Sequence, residues 1–294
     1  MSDFDRAVRR PAVPPGVTTS DGVPIAVHDL GGRGRPLVLA HATGLHGLVW
    51  KPLTVSLTAT FHCVSLDARG HGDSGLHPDL DFAWDGLARD ILAVVDGLGS
   101  QQPVGVGHSS GGAAMLLAEQ ARPGTFAALY CFEPTVVAVD PPLGRDVDNW
   151  LAVGARRRRE RFASRREAYT NYASKAPFSG VTPDALHAYV DHGFADVPGG
   201  VQLKCRGEHE ALVHEMASAH DGFAHLDEVR CPVMLAYGEE TEAFGPALIK
   251  VMAARIPAVS VEVVAGLGHL GPLEGPEAVG QSVRRFFTRS LPAG

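Results

Sequence analysis

Four cysteines in 294 residues, none spaced as C-x-x-C, are too few and too scattered for a disulfide framework or a cysteine-rich metal site. Cys63, Cys131, Cys205 and Cys231 are expected as buried, reduced thiols, three of them in or beside apolar runs. Basic residues are outnumbered as well: 26 Lys and Arg against 33 Asp and Glu leave a formal net charge of −7, which provides no electrostatic footprint for nucleic acid. No apolar run reaches the roughly 20 residues that span a bilayer, which excludes a transmembrane helix and any membrane partner through one. The first residues, Met1-Ser2-Asp3-Phe4-Asp5-Arg6, lack the apolar core of a secretion signal, so a cytoplasmic protein is expected. No internal repeat is visible, and nothing in the chain speaks to its oligomeric state.

What remains is an ordinary globular composition, 45% hydrophobic and 20% charged, on a chain long enough to bury a substantial core. Residues 1–15 are charged and proline-rich and read as a poorly ordered arm. A hairpin is expected around Ser20-Asp21-Gly22, then short apolar runs at 36–40, 62–66, 104–108 and 127–132 that suit buried parallel strands. Between the second and third runs, Leu87, Ile91, Val94, Val95 and Leu98 recur at helical spacing. Strand and helix alternate, which predicts an α/β fold: a mostly parallel central sheet with helices on both faces.

The alternation stops after residue 135. Helical stretches at 147–162, 165–174, 183–194 and 209–218 carry no paired strands, so 136–227 is expected to be an inserted helical cap on a core made of 1–135 and 228–294. Its aromatic residues, Trp150 and Tyr172 among them, read mostly as core, with some lining a pocket. The run Arg156-Arg157-Arg158-Arg159 reads as a solvated face before an attractor of anions. His209-Glu210-Ala211-Leu212-Val213-His214 is one residue longer than the zinc motif H-E-x-x-H, so its histidines do not sit one turn apart and no metal is expected. Alternation resumes with a strand at 232–238, a helix near 246–256, a strand at 259–264 and a final helix at 276–289.

The chemistry concentrates at Gly107, Ser109 and Gly111, a G-x-S-x-G pattern set between an apolar run and an alanine-rich helix. A strand that turns into a helix with almost no loop holds the middle serine in a strained conformation, and only small neighbours let the backbone close that tightly. Ser109 is therefore the candidate nucleophile, with the helix N-terminus beside its hydroxyl.

Four segments in order, H-A-T-G at 41–44, D-x-R-G-H-G-x-S at 67–74, G-H-S-S-G at 107–111 and G-x-G-H-x-x-P-L-E at 266–274, make the chain resemble the α/β-hydrolase fold family over nearly its whole length outside the cap. The resemblance implies that His269, in the loop after the last strand, is the general base. It implies oxyanion donors at the backbone N–H of Ser110 and of Thr43, with Ala42 standing where the family usually has glycine. It marks His41 and His71 as loop-bracing residues, and Asp67, Arg69 and Gly70 as a brace between strand and helix.

The acid is displaced. The family usually places an aspartate a few residues after the strand ending at Gly238, and the corresponding residue here is Thr241. Phe132-Glu133-Pro134 resembles a branch in which the acid follows the preceding strand, and a carboxylate there faces the same sheet edge as Ser109. Glu133 is the expected acid, with Glu242 and Glu240 as alternatives. The resemblance then implies a cofactor-free serine hydrolase that opens an ester, lactone or thioester of a small apolar substrate through an acyl-enzyme. The alternatives are a carbon–carbon bond hydrolase of diketones with the same triad, or a ligand-binding protein that retains the fold without turnover.

Overall fold

The computed structural model describes residues 13–99, 102–242 and 244–291, and the arm expected at 1–15 lies largely outside them. The described chain enters as a hairpin of β1 (Gly16–Thr18) and β2 (Pro24–Gly31), with Pro15 already accepting from the Val27 N–H at 3.1 Å. Then follow β3 (Arg35–Ala40), a 3-10 turn (Gly47–Trp50) running into α1 (Lys51–Thr54), and β4 (Phe61–Leu66). Next come α2 (Trp84–Gly97), β5 (Val104–His108), α3 (Ser110–Ala121) and β6 (Ala128–Phe132).

The insertion carries α4 (Trp150–Arg156), β7 (Arg161–Phe162), α5 (Arg165–Ala173), α6 (Pro183–Gly193), β8 (Phe194–Val197), β9 (Gly200–Leu203) and α7 (Gly207–Glu215). The core resumes with β10 (Val233–Gly238), α8 (Pro246–Ala253), β11 (Val259–Val264), α9 (Gly271–Glu274) and α10 (Pro276–Ser290).

The main sheet has eight strands in the order β1-β2-β4-β3-β5-β6-β10-β11. From β4 to β11 every pairing is parallel, while β1 and β2 add an antiparallel edge. Strands β4, β5 and β6 are buried at every position, which is why they read as unbroken apolar runs. α3 is buried almost all round because it lies in the middle of one layer, whereas α2 keeps one polar face to solvent. Alternate residues of each strand feed two apolar clusters. Val38, Val64 and Leu129 pack with α2, α3 and α8 on one face, and Leu37, Leu39 and Tyr130 pack with α1 and α10 on the other.

The cap departs from the expected all-helical insertion, because β7, β9 and β8 form a three-stranded antiparallel sheet. Strands of two to four residues are too short to show a period of two, and the hairpin from 194 to 203 turns on Pro198 and Gly199, the latter at φ +82°. The helix expected over 147–162 is correspondingly only Trp150–Arg156, since Arg161 and Phe162 pair with β9. Trp150 is 72% exposed and not core. Phe162, Tyr172, Phe178, Tyr189 and Phe194 do pack together, in the same apolar cluster as Leu37 and Leu39 of the sheet. All four cysteines are buried free thiols. Among the described residues no helix is long and apolar enough to cross a membrane.

Candidate active site

β5 gives way to α3 with Ser109 as the single joining residue, at φ +53° and ψ −120°. Its N–H donates to Phe132 O at 2.9 Å, and its carbonyl accepts from Ala113 N at 3.0 Å, so both sides of the turn are tied down. The two glycines of the pattern are steric requirements: a Cβ on Gly107 would meet Gly112 Cα at 2.5 Å, and one on Gly111 would meet Ala40 O at 2.4 Å. Ser109 remains 8% exposed although the strand and helix around it are buried.

Glu133, the first residue after β6, is fully buried at φ +45°. Among the described residues only four non-glycines have a positive φ, and two of them are Ser109 and Glu133. Strain of this kind persists where the surrounding structure over-determines it, typically at functional sites. Glu133 Oε2 accepts from His269 Nδ1 at 2.6 Å and from Thr241 Oγ1 at 2.8 Å, and Oε1 accepts from Gly238 N at 3.0 Å. With its Nδ1 proton given to the carboxylate, the His269 ring carries its lone pair on Nε2. Glu240 and Glu242 are exposed and make no hydrogen bond to His269.

His108 holds the histidine's loop to the elbow. Its Nε2–H donates to His269 O at 2.8 Å and the two rings lie 5.1 Å apart, which brings residues 108 and 269 to one edge of the sheet. Burial, with His269 nearby, keeps the His108 imidazole well below its ordinary pKa and hence neutral. In the sequence His108 is only the variable position of the elbow pattern, and no signal marks it as a clamp.

The loop after β3 is pinned by the two expected brace histidines. His41 Nδ1 donates to Ala42 O at 2.8 Å and its Nε2 accepts from Ala68 N at 3.0 Å. His71 Nδ1 donates to Arg69 O at 2.9 Å and its Nε2 accepts from Gly44 N at 3.0 Å. Asp67 accepts from Gly47 N at 2.6 Å and Asp73 N at 2.8 Å, while fully buried Arg69 joins Asp90 of α2 at 2.8 Å and Asp21 of the hairpin turn at 2.9 Å. The expected oxyanion donors are adjacent but not both free. The Thr43 N–H and the Thr43 hydroxyl each donate to Ser110 Oγ at 2.9 Å.

The inserted segment packs against this loop. Arg158 and Glu210 form an ion pair so near Gly44 that a Cβ there would lie 2.9 Å from Glu210 Cδ and 3.0 Å from Arg158 Nη1. Arg158 is thus not part of the solvated face expected for its run, whereas Arg156 pairs with Glu208 and Arg159 with Glu167 near the surface. Phe244 lies against the His269 ring at 5.2 Å. No group of three or more His, Cys, Asp or Glu side chains able to hold a metal converges among the described residues.

An eight-stranded, mostly parallel sheet with a strained serine between strand and helix, and a histidine–carboxylate pair at the same edge, is the architecture of α/β-hydrolases. The model of the alpha/beta hydrolase family matches residues 37–281, and the chain belongs to that family. Over 251 residues it is 28% identical to the N-formylmaleamate deformylase of Pseudomonas putida, covering 82% of this chain and 84% of that one. It is 29% identical over 175 residues to a type I acyl-CoA thioesterase of Penicillium brevicompactum; that match takes in 55% of this chain and only 40% of the thioesterase. The solved structure of an E-2-(acetamidomethylene)succinate hydrolase superposes with a TM-score of 0.78 over 93% of this chain and 98% of the other, at 22% identity, which speaks to the fold.

Proposed function

We propose that the chain is a serine hydrolase in which Ser109, His269 and Glu133 form the triad and a small acyl group passes through an acyl-enzyme. The observation that carries this reading is the 2.6 Å bond from His269 Nδ1 to a fully buried Glu133, on a histidine tied by its carbonyl to the residue before Ser109. His269 Nε2 takes the Ser109 proton as Oγ attacks the carbonyl carbon, and returns it to the leaving oxygen, sulfur or nitrogen. Glu133 stays ionised, holds the tautomer and stabilises the imidazolium. Water then repeats the cycle on the acyl-enzyme.

The oxyanion is received by the Ser110 N–H at the start of α3 and by the Thr43 N–H, which exchanges its bond to Ser110 Oγ for one to the charged oxygen. The names of the relatives support acyl transfer to water as the reaction class: one is a thioesterase and one a deformylase.

A fluorophosphonate probe tests the nucleophile, with labelling expected on wild type and absent on Ser109→Ala. Glu133→Gln is expected to lower kcat on a short-chain ester by about 10⁴, the scale found when the orienting acid of such a triad is neutralised. Glu242→Gln should leave turnover within a few fold. Near-normal activity of Glu133→Gln together with loss in Glu242→Gln would place the acid after β10 instead.

A further inference from the structure

Among the four consecutive arginines of the cap, one side chain is turned inward. Arg158 is 18% exposed, and its guanidinium lies against Gly44, next to Thr43. Nη1 pairs with Glu210, while Nη2 donates to Tyr172 Oη at 3.2 Å and to Tyr189 Oη at 2.5 Å. Because each phenol oxygen accepts from Arg158, each keeps its own O–H as a donor, and neither makes a further hydrogen bond among the described residues.

A buried ion pair is a weak device for stability, since well-packed apolar side chains of similar volume generally serve as well. A planar guanidinium fork flanked by two phenol O–H groups, on the other hand, is a donor set matched to a carboxylate. Glu210 shows that a carboxylate reaches Nη1 of this guanidinium, and it sits over the very loop that carries Thr43. Phe178 packs on both tyrosines, at 5.0 Å from the Tyr172 ring and 4.8 Å from the Tyr189 ring, and supplies an apolar wall beside the donors.

Resting on the serine-hydrolase reading above, we propose that Arg158, Tyr172 and Tyr189 bind a carboxylate at the far end of the acyl group, so that the substrates are half-esters or half-thioesters of short dicarboxylic acids. Glu210 occupies that seat in the free enzyme and gives it up to the substrate. Hydrolysis then adds the water hydroxyl to the acyl carbon and its proton to the leaving group, releasing a dicarboxylate and an alcohol or thiol.

The test compares kcat/KM for monomethyl glutarate and for methyl pentanoate, followed by pH-stat, in wild type, Arg158→Met, Arg158→Lys and Glu210→Gln. Wild type should favour the half-ester by about 30-fold or more, the scale of charge-assisted hydrogen bonds. That ratio should collapse to about one in Arg158→Met and recover only in part in Arg158→Lys, which lacks the fork. Glu210→Gln, which removes the competing carboxylate, should lower KM for the half-ester by about tenfold, whereas a merely structural role for the pair would raise it. Glutarate should also bind the Ser109→Ala protein in calorimetry and fail to bind when Arg158→Met is added. Preference of wild type for methyl pentanoate, or an equal loss on both esters in Arg158→Met, overturns the proposal. If the fluorophosphonate probe labels Ser109 and methyl pentanoate is cleaved but glutarate does not bind, the carboxylate site alone fails. Glutarate binding without labelling or turnover sinks the hydrolase reading and leaves the site standing.

Discussion

Thr241 stands where the family usually keeps its aspartate, and its hydroxyl donates at 2.8 Å to the same Glu133 oxygen that holds His269. A hydrogen bond to an ionised group contributes more than one between neutral groups, so Thr241→Val is expected to lower kcat by about tenfold while Ser109 still takes the fluorophosphonate probe. In Glu133→Gln, adding Thr241→Asp should restore part of the lost turnover, because it returns a carboxylate to a position already within reach of this network. Steady-state kinetics on the three variants checks both. The brace histidines carry a pH dependence of their own. His41 and His71 each donate from Nδ1 and accept on Nε2, so only the neutral ring fits. Burial lowers both pKa values, that of His71 to about 3; Asp67 favours charge on each, while His28 opposes it at His41 and His41 and His209 oppose it at His71. The unfolded chain, with histidine near 6.5, binds protons that the native state refuses. Stability is therefore full above that pH and is lost as pH falls toward 3, by roughly 2 kcal/mol from His71 alone at pH 5. Urea unfolding at pH 7 and pH 5 should show the drop, and His71→Gln should shrink the difference between the two.

At the scale of elements, the turn from β5 into α3 is set by contacts from a strand far away in sequence. Gly111 passes so close to the Ala40 and His41 carbonyls, at 2.4 and 2.5 Å from an added Cβ, that β3 and α3 cannot separate without spoiling the elbow. Both clashing atoms are backbone and cannot turn aside as a flexible side chain would. Gly111→Val is expected to destabilise by about 3 kcal/mol or more, the upper range for overpacking, and to abolish probe labelling of Ser109. Ala118→Gly, further along the same helix, should cost only about 1 kcal/mol and leave labelling intact. Thermal unfolding of the two variants beside wild type reads the contrast.

For the whole molecule, the inserted segment and the layers around the main sheet are packed as one. Phe162, Tyr172 and Phe178 share one apolar cluster with Leu37 and Leu39, and polar ties cross the boundary from Trp84 Nε1 to Val213 O at 3.0 Å and from Lys204 to Asp73 at 2.6 Å. Unfolding in urea is expected to be one cooperative transition, with circular dichroism and tryptophan fluorescence coinciding although Trp50 lies in the core and Trp150 in the cap. Two separated transitions would show the cap melting as a unit of its own.

The alternation of apolar runs with amphipathic stretches determined the parallel sheet, because strands buried on both faces must be apolar throughout and the helices that cover them must not. The spacing of Gly107, Ser109 and Gly111 likewise announced the elbow, since that turn tolerates nothing larger at its flanks. Glu133 and His269 were marked in the sequence by the family resemblance, through Phe132-Glu133-Pro134 and the G-x-G-H segment at 266–269. What only the tertiary structure decided are relations between residues far apart in sequence: that Glu133 and not Glu242 meets His269, that Ser110 Oγ takes the Thr43 N–H, that Arg158 alone of its run turns inward, and that three cap segments pair as a sheet. Local sequence dictates which backbone conformations are cheap. Which buried polar groups become partners depends on the whole packed arrangement, where an unmet donor or charge is costly enough to select one neighbour among several of the same chemistry.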